Sequence, residues 1–296
     1  MTDEGGARFS LPAGEGAGAM LGLAAGDAAG GAHEGAYSAC TQQAIVVAYH
    51  LFEHGEVERE SLTMELAELD GDDREAGVYR SIGEDMRAWL DSLGTDDIRY
   101  GTSPSIDPAI RAVPLGVWYR RQPDELITAV LEASRVTHLD ATSAVLAAAV
   151  AAAVAGASFA QNGHDLLMAT NEVVRQAAAA VEADAIRYSG ADRLGEVVSE
   201  LGRTPALIGG PLEELPLGEQ ADAATAMVVT ALAATAPISD DPHAVVGQMA
   251  KLGGSPLGAV AGAILGARLG VRSWPWPFPN DTWFVAVGER LVAGRQ

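Results

Sequence analysis

The side chains able to do chemistry in this sequence are few and widely spaced. Glu34, next to His33, offers a carboxylate for general acid or base work; the plainer reading is a loop carboxylate in water or against an arginine. Cys40 is the only cysteine. It becomes a nucleophile where a helix N-terminus lowers its pKa and is an inert filler otherwise. Asp107 and Arg111 lie one helical turn apart, and Arg111 either receives an anionic group or holds Asp107 or Glu34. His138 closes a helical run, where it either lines a pocket or caps the helix end. Asp27 ends a glycine-rich run and reads as an acceptor of backbone hydrogen bonds rather than a ligand contact. The acidic triplets Thr95-Asp96-Asp97 and Ser239-Asp240-Asp241 read as solvated turns or helix caps.

These residues need elements to position them, and the strongest pattern is glycine on a four-residue spacing. It runs through Gly18, Gly22, Gly26 and Gly30, and again through Gly254, Gly258, Gly262, Gly266 and Gly270. Interior glycine costs a helix about 1 kcal/mol relative to alanine. Residues four apart share a helix face, so each run presents a smooth strip along which another helix can lie close. The spacing predicts that the two helices pack on each other, joining both ends of the chain in one domain. Further helices are predicted over 40–54, 77–93, 109–121, 124–137, 140–160, 163–188, 220–235 and 242–252, with a short one at the end. Irregular passages are predicted at 94–108 and 202–218, and a Pro-locked extended tail around 274–279. No alternating run reads as a strand. The fold class is therefore all-α, a single many-helix domain over 16–296 behind a loose N-terminus at 1–15.

The chain has 296 residues, with only 5 Phe, 6 Tyr and 5 Trp, so small side chains must fill the core. Its formal charge of −21 argues against nucleic acid and anionic membrane surfaces. One cysteine permits no internal disulfide, and the acidic N-terminus lacks the basic start of a signal peptide. Both point to the cytoplasm. The uncharged run 141–161 is long enough to consider as a membrane span, but its Ala, Thr and Ser content and missing basic flank fit a buried helix.

Taken in order, several motifs resemble the ADP-ribosylglycohydrolase family, which includes dinitrogenase-reductase-activating glycohydrolases and the J1 crystallins. The run Gly22 to Gly30, continuing to Glu34, resembles that family's Gly-Asp-Ala-x-Gly opening. Tyr37 to Gln43 stands where the family has Thr-Asp-Asp-Thr-Gln. Ile106 to Gly116 is similar to Asn-Gly-x-x-Met-Arg followed by Pro-x-Gly, and Ser134 to His138 to Ser-x-x-Thr-His. Gly253-Gly254 opens what would be Gly-Gly-Asp-Thr-Asp-Thr. The resemblance implies an all-helical domain and a pair of Mg²⁺ ions held by two acidic clusters, which grip the ribose whose bond is cut and position a water.

The sequence departs from the family at those clusters. Ser38-Ala39-Cys40 replaces Thr-Asp-Asp, and Ser255-Pro256-Leu257-Gly258 replaces Asp-Thr-Asp-Thr. Hydroxyls alone do not offset the cost of dehydrating Mg²⁺, and Cys40 is too soft for it. The expectation is that the magnesium pair is absent and that no residue is a metal ligand. Ile106-Asp107 in place of Asn-Gly adds a charge, and Pro108 lacks an N–H donor. These changes disfavour a pyrophosphate and favour a smaller nucleoside- or ribose-like ligand. Ser38, Cys40, Asp107, Arg111 and Ser255 are the expected ligand contacts, with Glu34 and His138 as candidate catalytic groups. One reading is a binding, regulatory or structural protein. The alternative is a repurposed metal-free enzyme acting through Glu34 on a glycosidic bond of an ADP-ribose- or nucleoside-like substrate. A third is an active hydrolase with unorthodox metal ligands. The segment from Trp274 to Trp283 either anchors a protein partner or folds over the core.

Overall fold

Alanine and glycine let helices approach more closely than leucine would, and the architecture follows from that. The computed structural model describes residues 14–31, 36–68, 79–210, 222–237, 239, 241–271 and 280–295. Its helices are α1 (Glu15–Gly30), α2 (Ala39–His54), α3 (Arg59–Glu68), α4 (Glu84–Ser92), α5 (Asp107–Arg111), α6 (Val113–Trp118) and α7 (Pro123–Ser134). They continue with α8 (Ala141–Ala157), α9 (Gly163–Ala183), α10 (Leu194–Gly202), α11 (Ala223–Thr235), α12 (Pro242–Leu269) and α13 (Asp281–Ala293). No strand occurs among the described residues; two isolated bridges, Gly101 with His138 and Asp140 with Ser189, tie loops together.

The glycine helices pack as the spacing predicts. A methyl group at Gly18 would fall on the Gly266 carbonyl oxygen, one at Gly26 on that of Gly258, and one at Gly262 on that of Gly22. The two backbones therefore touch along the whole seam, and α13 joins it where Gly16 meets Gly288. The uncharged run forms α8, with every residue but Gly156 buried, at the centre of the domain. Asp140 caps it by accepting the Ser143 N–H at 2.8 Å. One described helix, α12, is long and apolar enough to cross a membrane, and its most apolar stretch is 61% buried within the protein.

Helix α12 contains the boundary the sequence suggests. Gly253 and Gly254 leave helical geometry, Gly254 with φ +68°, which glycine adopts without strain. Pro256 then falls in the first turn of the second half, where a missing N–H costs nothing.

Several expectations need correction. The predicted helix 77–93 is shorter: residues 79–83 are irregular and α4 starts at Glu84. The predicted helix 109–121 is two short pieces, α5 and α6, meeting at Ala112. Helix 163–188 stops at Ala183 and tightens into a short 3₁₀ turn. Helix α3 carries little periodic signal, burying only Leu62 and Leu66, whereas α10 was missed although Leu194, Val197, Val198 and Leu201 give it a helical apolar face. The N-terminal residues 1–13 and the tail with Trp274 and Trp276 lie outside the described residues.

Candidate functional site

The end of the glycine seam positions the first group of polar residues. Asp27 is in the last turn of α1 and fully buried. Its Oδ2 accepts the Ser38 N–H at 2.8 Å, the Thr41 N–H at 3.1 Å and the Thr41 hydroxyl at 2.7 Å. One carboxylate oxygen thus caps the start of α2, where amide groups have no partner within the helix. Across the seam, the Ser255 hydroxyl donates to the Asp27 carbonyl oxygen at 2.8 Å. The two motifs separated by more than two hundred residues in sequence therefore meet on Asp27. Its Oδ1 has no hydrogen-bond partner.

The residues that the sequence resemblance sets against the family's acidic clusters surround this hub. Ala39 and Leu257 are buried hydrocarbon, and Ser38 accepts the Cys40 N–H at 3.2 Å. Burial pushes the Cys40 thiol well above its ordinary value, with the charges of Asp27 and Asp107 acting the same way. Cys40 is near the N-terminus of α2, but these effects outweigh the helix dipole, so the group is a neutral thiol at pH 7. Mg²⁺ keeps octahedral geometry and needs hard anionic oxygen. A methyl, a thiol, an isobutyl group and a hydroxyl already donating to a carbonyl do not fit that requirement.

The second group is organised by Arg111, at the end of α5 and 1% exposed. Its guanidinium donates to Gln43 Oε1 at 3.1 Å, to the Ser134 carbonyl at 3.2 Å and to the Thr137 hydroxyl. Burial lowers its pKa to about 10, with Asp107 and Tyr79 opposing the shift, so it stays charged at neutral pH. Asp107 opens the same short helix, half-buried, and donates its N–H to Ser105 Oγ at 3.2 Å. Burial raises its carboxyl above the usual range; Arg111 pulls it down and Asp85 pushes it up.

His138 is 1% exposed, in the turn after α7. Thr137 Oγ1 accepts from Arg111, which leaves its own proton to donate to His138 Nδ1 at 2.7 Å. The hydrogen-bond network thereby assigns the ring proton to Nε2, which faces Asp85 Oδ2 at 3.8 Å, beyond hydrogen-bond reach. Burial, aided by Arg111, lowers the imidazole pKa to about 3. His138 is a neutral donor, joined to Arg111 through a hydroxyl, rather than a proton shuttle near pH 7.

The structure thus brings Ser38, Cys40 and Ser255 to one hub and Arg111, Asp107 and His138 to another, linked through α2, which supplies both Cys40 and Gln43. Glu34 and His33 lie outside the described residues. Sequence reasoning missed Gln43, Asp85 and Thr137 as partners. Thr137 sits in the quoted Ser134 to His138 run, whereas nothing in the sequence marks Asp85. Thr95 and Asp97 form an exposed turn, as expected.

A further cluster, His50, His54 and Glu65, has ligand atoms within 4.8 Å of one another. His50 Nε2 accepts the Glu58 N–H at 3.0 Å, so the ring proton is on Nδ1, facing Glu65 at 3.0 Å. That nitrogen has no lone pair for a metal. The cluster clasps α2 to α3.

The ADP-ribosylglycohydrolase family model matches residues 15–295. No curated protein sequence matches the chain. Among solved structures the chain is similar to one titled ADP-ribosylglycohydrolase-related protein complex, with a TM-score of 0.70 and 23% identity. That alignment covers 95% of this chain and 98% of the other, and at such identity the likeness speaks for the fold.

Proposed function

The chain belongs to the ADP-ribosylglycohydrolase family, and on that premise we propose that it is a metal-free member that binds a small nucleoside- or ribose-like ligand in the family's pocket. The observation that carries this reading is the set of bonds on Asp27. The Ser255 hydroxyl is committed to its carbonyl and the start of α2 to its carboxylate, at the place where the family holds its ions. Hydrogen bonds between α1, α2 and α12 supply the cohesion that cations would otherwise give.

The buried Asp27 Oδ1 and His138 Nε2 have no hydrogen-bond partner in the protein. Neither atom meets solvent, so a ribose hydroxyl would donate to the first or accept from the second only after side chains move to admit it. Binding is favoured over turnover because Cys40 is held as a thiol and His138 stays unprotonated down to about pH 3. A charge of −21 supports a small ligand of low negative charge in a cytoplasmic setting, rather than nucleic acid or an anionic membrane.

Calorimetric titration with Mg²⁺ and then with adenosine, ribose 5-phosphate and ADP-ribose tests the proposal. The expected result is no saturable magnesium binding at micromolar concentration and ribose-ligand binding that survives EDTA. Micromolar magnesium binding, or magnesium-dependent release of ADP-ribose from a modified protein, overturns it. A turnover screen with Glu34→Gln as control distinguishes a repurposed enzyme: activity lost in that variant would replace binding with catalysis.

A further inference from the structure

A cavity remote in sequence from the Asp27 hub lies where the N-termini of α8, α10 and α11 converge. Its volume is about 670 Å³, and its wall includes Thr142, Arg193, Glu196, Glu200 and Asp222. Sites for small organic molecules fall in the range of about 300–1,000 Å³. Two buried polar groups at its α8 end lack partners. Thr142 is 1% exposed and its hydroxyl makes no hydrogen bond. Asp140 is fully buried; Oδ1 takes the Ser143 N–H at 2.8 Å and hydroxyl at 2.9 Å, while Oδ2 takes nothing.

The nearest cation to that oxygen is Arg193, at 3.8 Å and with its side chain 47% exposed. It is too distant for a hydrogen bond and is free to swing into solvent. Gly190, at φ +69°, leaves the gap open: a methyl there would stand 3.0 Å from Arg193 Nη2 and 3.2 Å from Asp140 Oδ2. Burial raises the Asp140 carboxyl, and the hydrogen bonds from Ser143 and the charge of Arg193 oppose this.

The rest of the wall is acidic and part of it is fixed. Asp222 caps α11 by accepting the Thr225 N–H and hydroxyl, both at 2.8 Å. Its carboxylate is therefore held in place at the N-terminus of α11. Glu196 and Glu200 are one turn apart on α10 and share a face. Three carboxylates, Glu196, Glu200 and Asp222, thus share the wall with one guanidinium, and the buried Asp140 stands 3.8 Å from that guanidinium.

We propose that this cavity binds a small organic polycation, a diamine or polyamine, with one ammonium received by Asp222 and Thr142 and another by Glu196 and Glu200. The ligand competes with Arg193 for this acidic wall, and a displaced Arg193 can turn further into solvent. A bare divalent ion fits less well, because it needs about six oxygens converging within about 2.6 Å, and these carboxylates are spread over three elements around a larger space. An anion would meet uncompensated carboxylates.

The test is isothermal titration of the full chain with spermidine at low ionic strength. Saturable binding is expected, weakened about tenfold or more by Asp222→Asn and by Glu196→Gln, each of which removes one charged acceptor. Asp222→Asn keeps an oxygen for the α11 cap, and a thermal melt confirms that the variant folds. Arg193→Ala is expected to tighten binding. Asp96→Asn with Asp97→Asn, and His138→Gln, are expected to leave it unchanged. Absence of saturation overturns the proposal, as does equal weakening by the Asp96 and Asp97 changes, which would mark a diffuse effect of net charge. Tighter binding of Mg²⁺ than of spermidine, sensitive to the same two variants, overturns the ligand class.

Discussion

The seam between α1 and α12 and the polar junction at its end, where α2 joins them, keep their partners together by different means. Along the seam nothing but backbone and small side chains remains, so contact is nondirectional and every added atom collides. At the junction, a single carboxylate and two hydroxyls, those of Thr41 and Ser255, hold three segments with hydrogen bonds of defined direction. The seam tolerates no addition; the junction tolerates no deletion. The lesson is that one helix pair can be held both by shape and by directed bonds, provided some group satisfies the α2 amides. Here that group is Asp27.

The contrast can be broken from the seam first. Gly262→Leu would place a side chain on the Gly22 carbonyl, and a loss of at least about 3 kcal/mol is expected from urea unfolding. An unchanged midpoint would mean the backbones are not in contact. Next in size is Asp27→Ala, which leaves the Ser38 and Thr41 amides and the Thr41 hydroxyl without their acceptor. The expected loss is about 2–3 kcal/mol by the same measurement. A loss smaller than that of an exposed cap substitution would show that water takes over.

The second hub gives a pH-dependent effect. His138 has a folded pKa of about 3 against an ordinary 6.5, so between those values the unfolded chain binds the extra proton. Stability therefore falls as pH drops from about 6.5 towards 3, by up to about 1.4 kcal/mol per pH unit from this residue. Replacing it by His138→Gln should remove roughly 2 kcal/mol of the difference between pH 7 and pH 5. Urea midpoints at the two pH values check this, and an unaltered slope would refute the burial of a neutral ring. Smallest of all, Asp96→Ala with Asp97→Ala should change stability by less than about 0.5 kcal/mol and leave ligand titrations untouched, since the turn is exposed.

Much of this was legible in the residues. Glycine on a four-residue spacing specified the close helix pair because only the absence of Cβ allows backbones to touch, and that absence is visible in a sequence. Helix α8 was legible for a similar reason: an uncharged run with an Asp before it announces both burial and a cap. The role of Asp27 as an acceptor of backbone N–H groups also followed from its place at a helix end. Helices α5 and α6 were read as one although the break at Ala112 does have a residue signature: Pro114 falls in the first turn of α6, where its missing N–H costs nothing.

Sequence by itself determined which chemistry is possible: one thiol, few aromatics, and Ser38-Ala39-Cys40 and Ser255-Pro256-Leu257 in the two segments that meet at Asp27. Tertiary structure alone decided what those groups are in practice. A cysteine near a helix start became a neutral thiol because it is desolvated beside Asp27 and Asp107. A histidine became a fixed donor because Arg111 and Thr137 sit against it. Protonation depends on neighbours and on the water that burial removes, and neither is written in the order of residues.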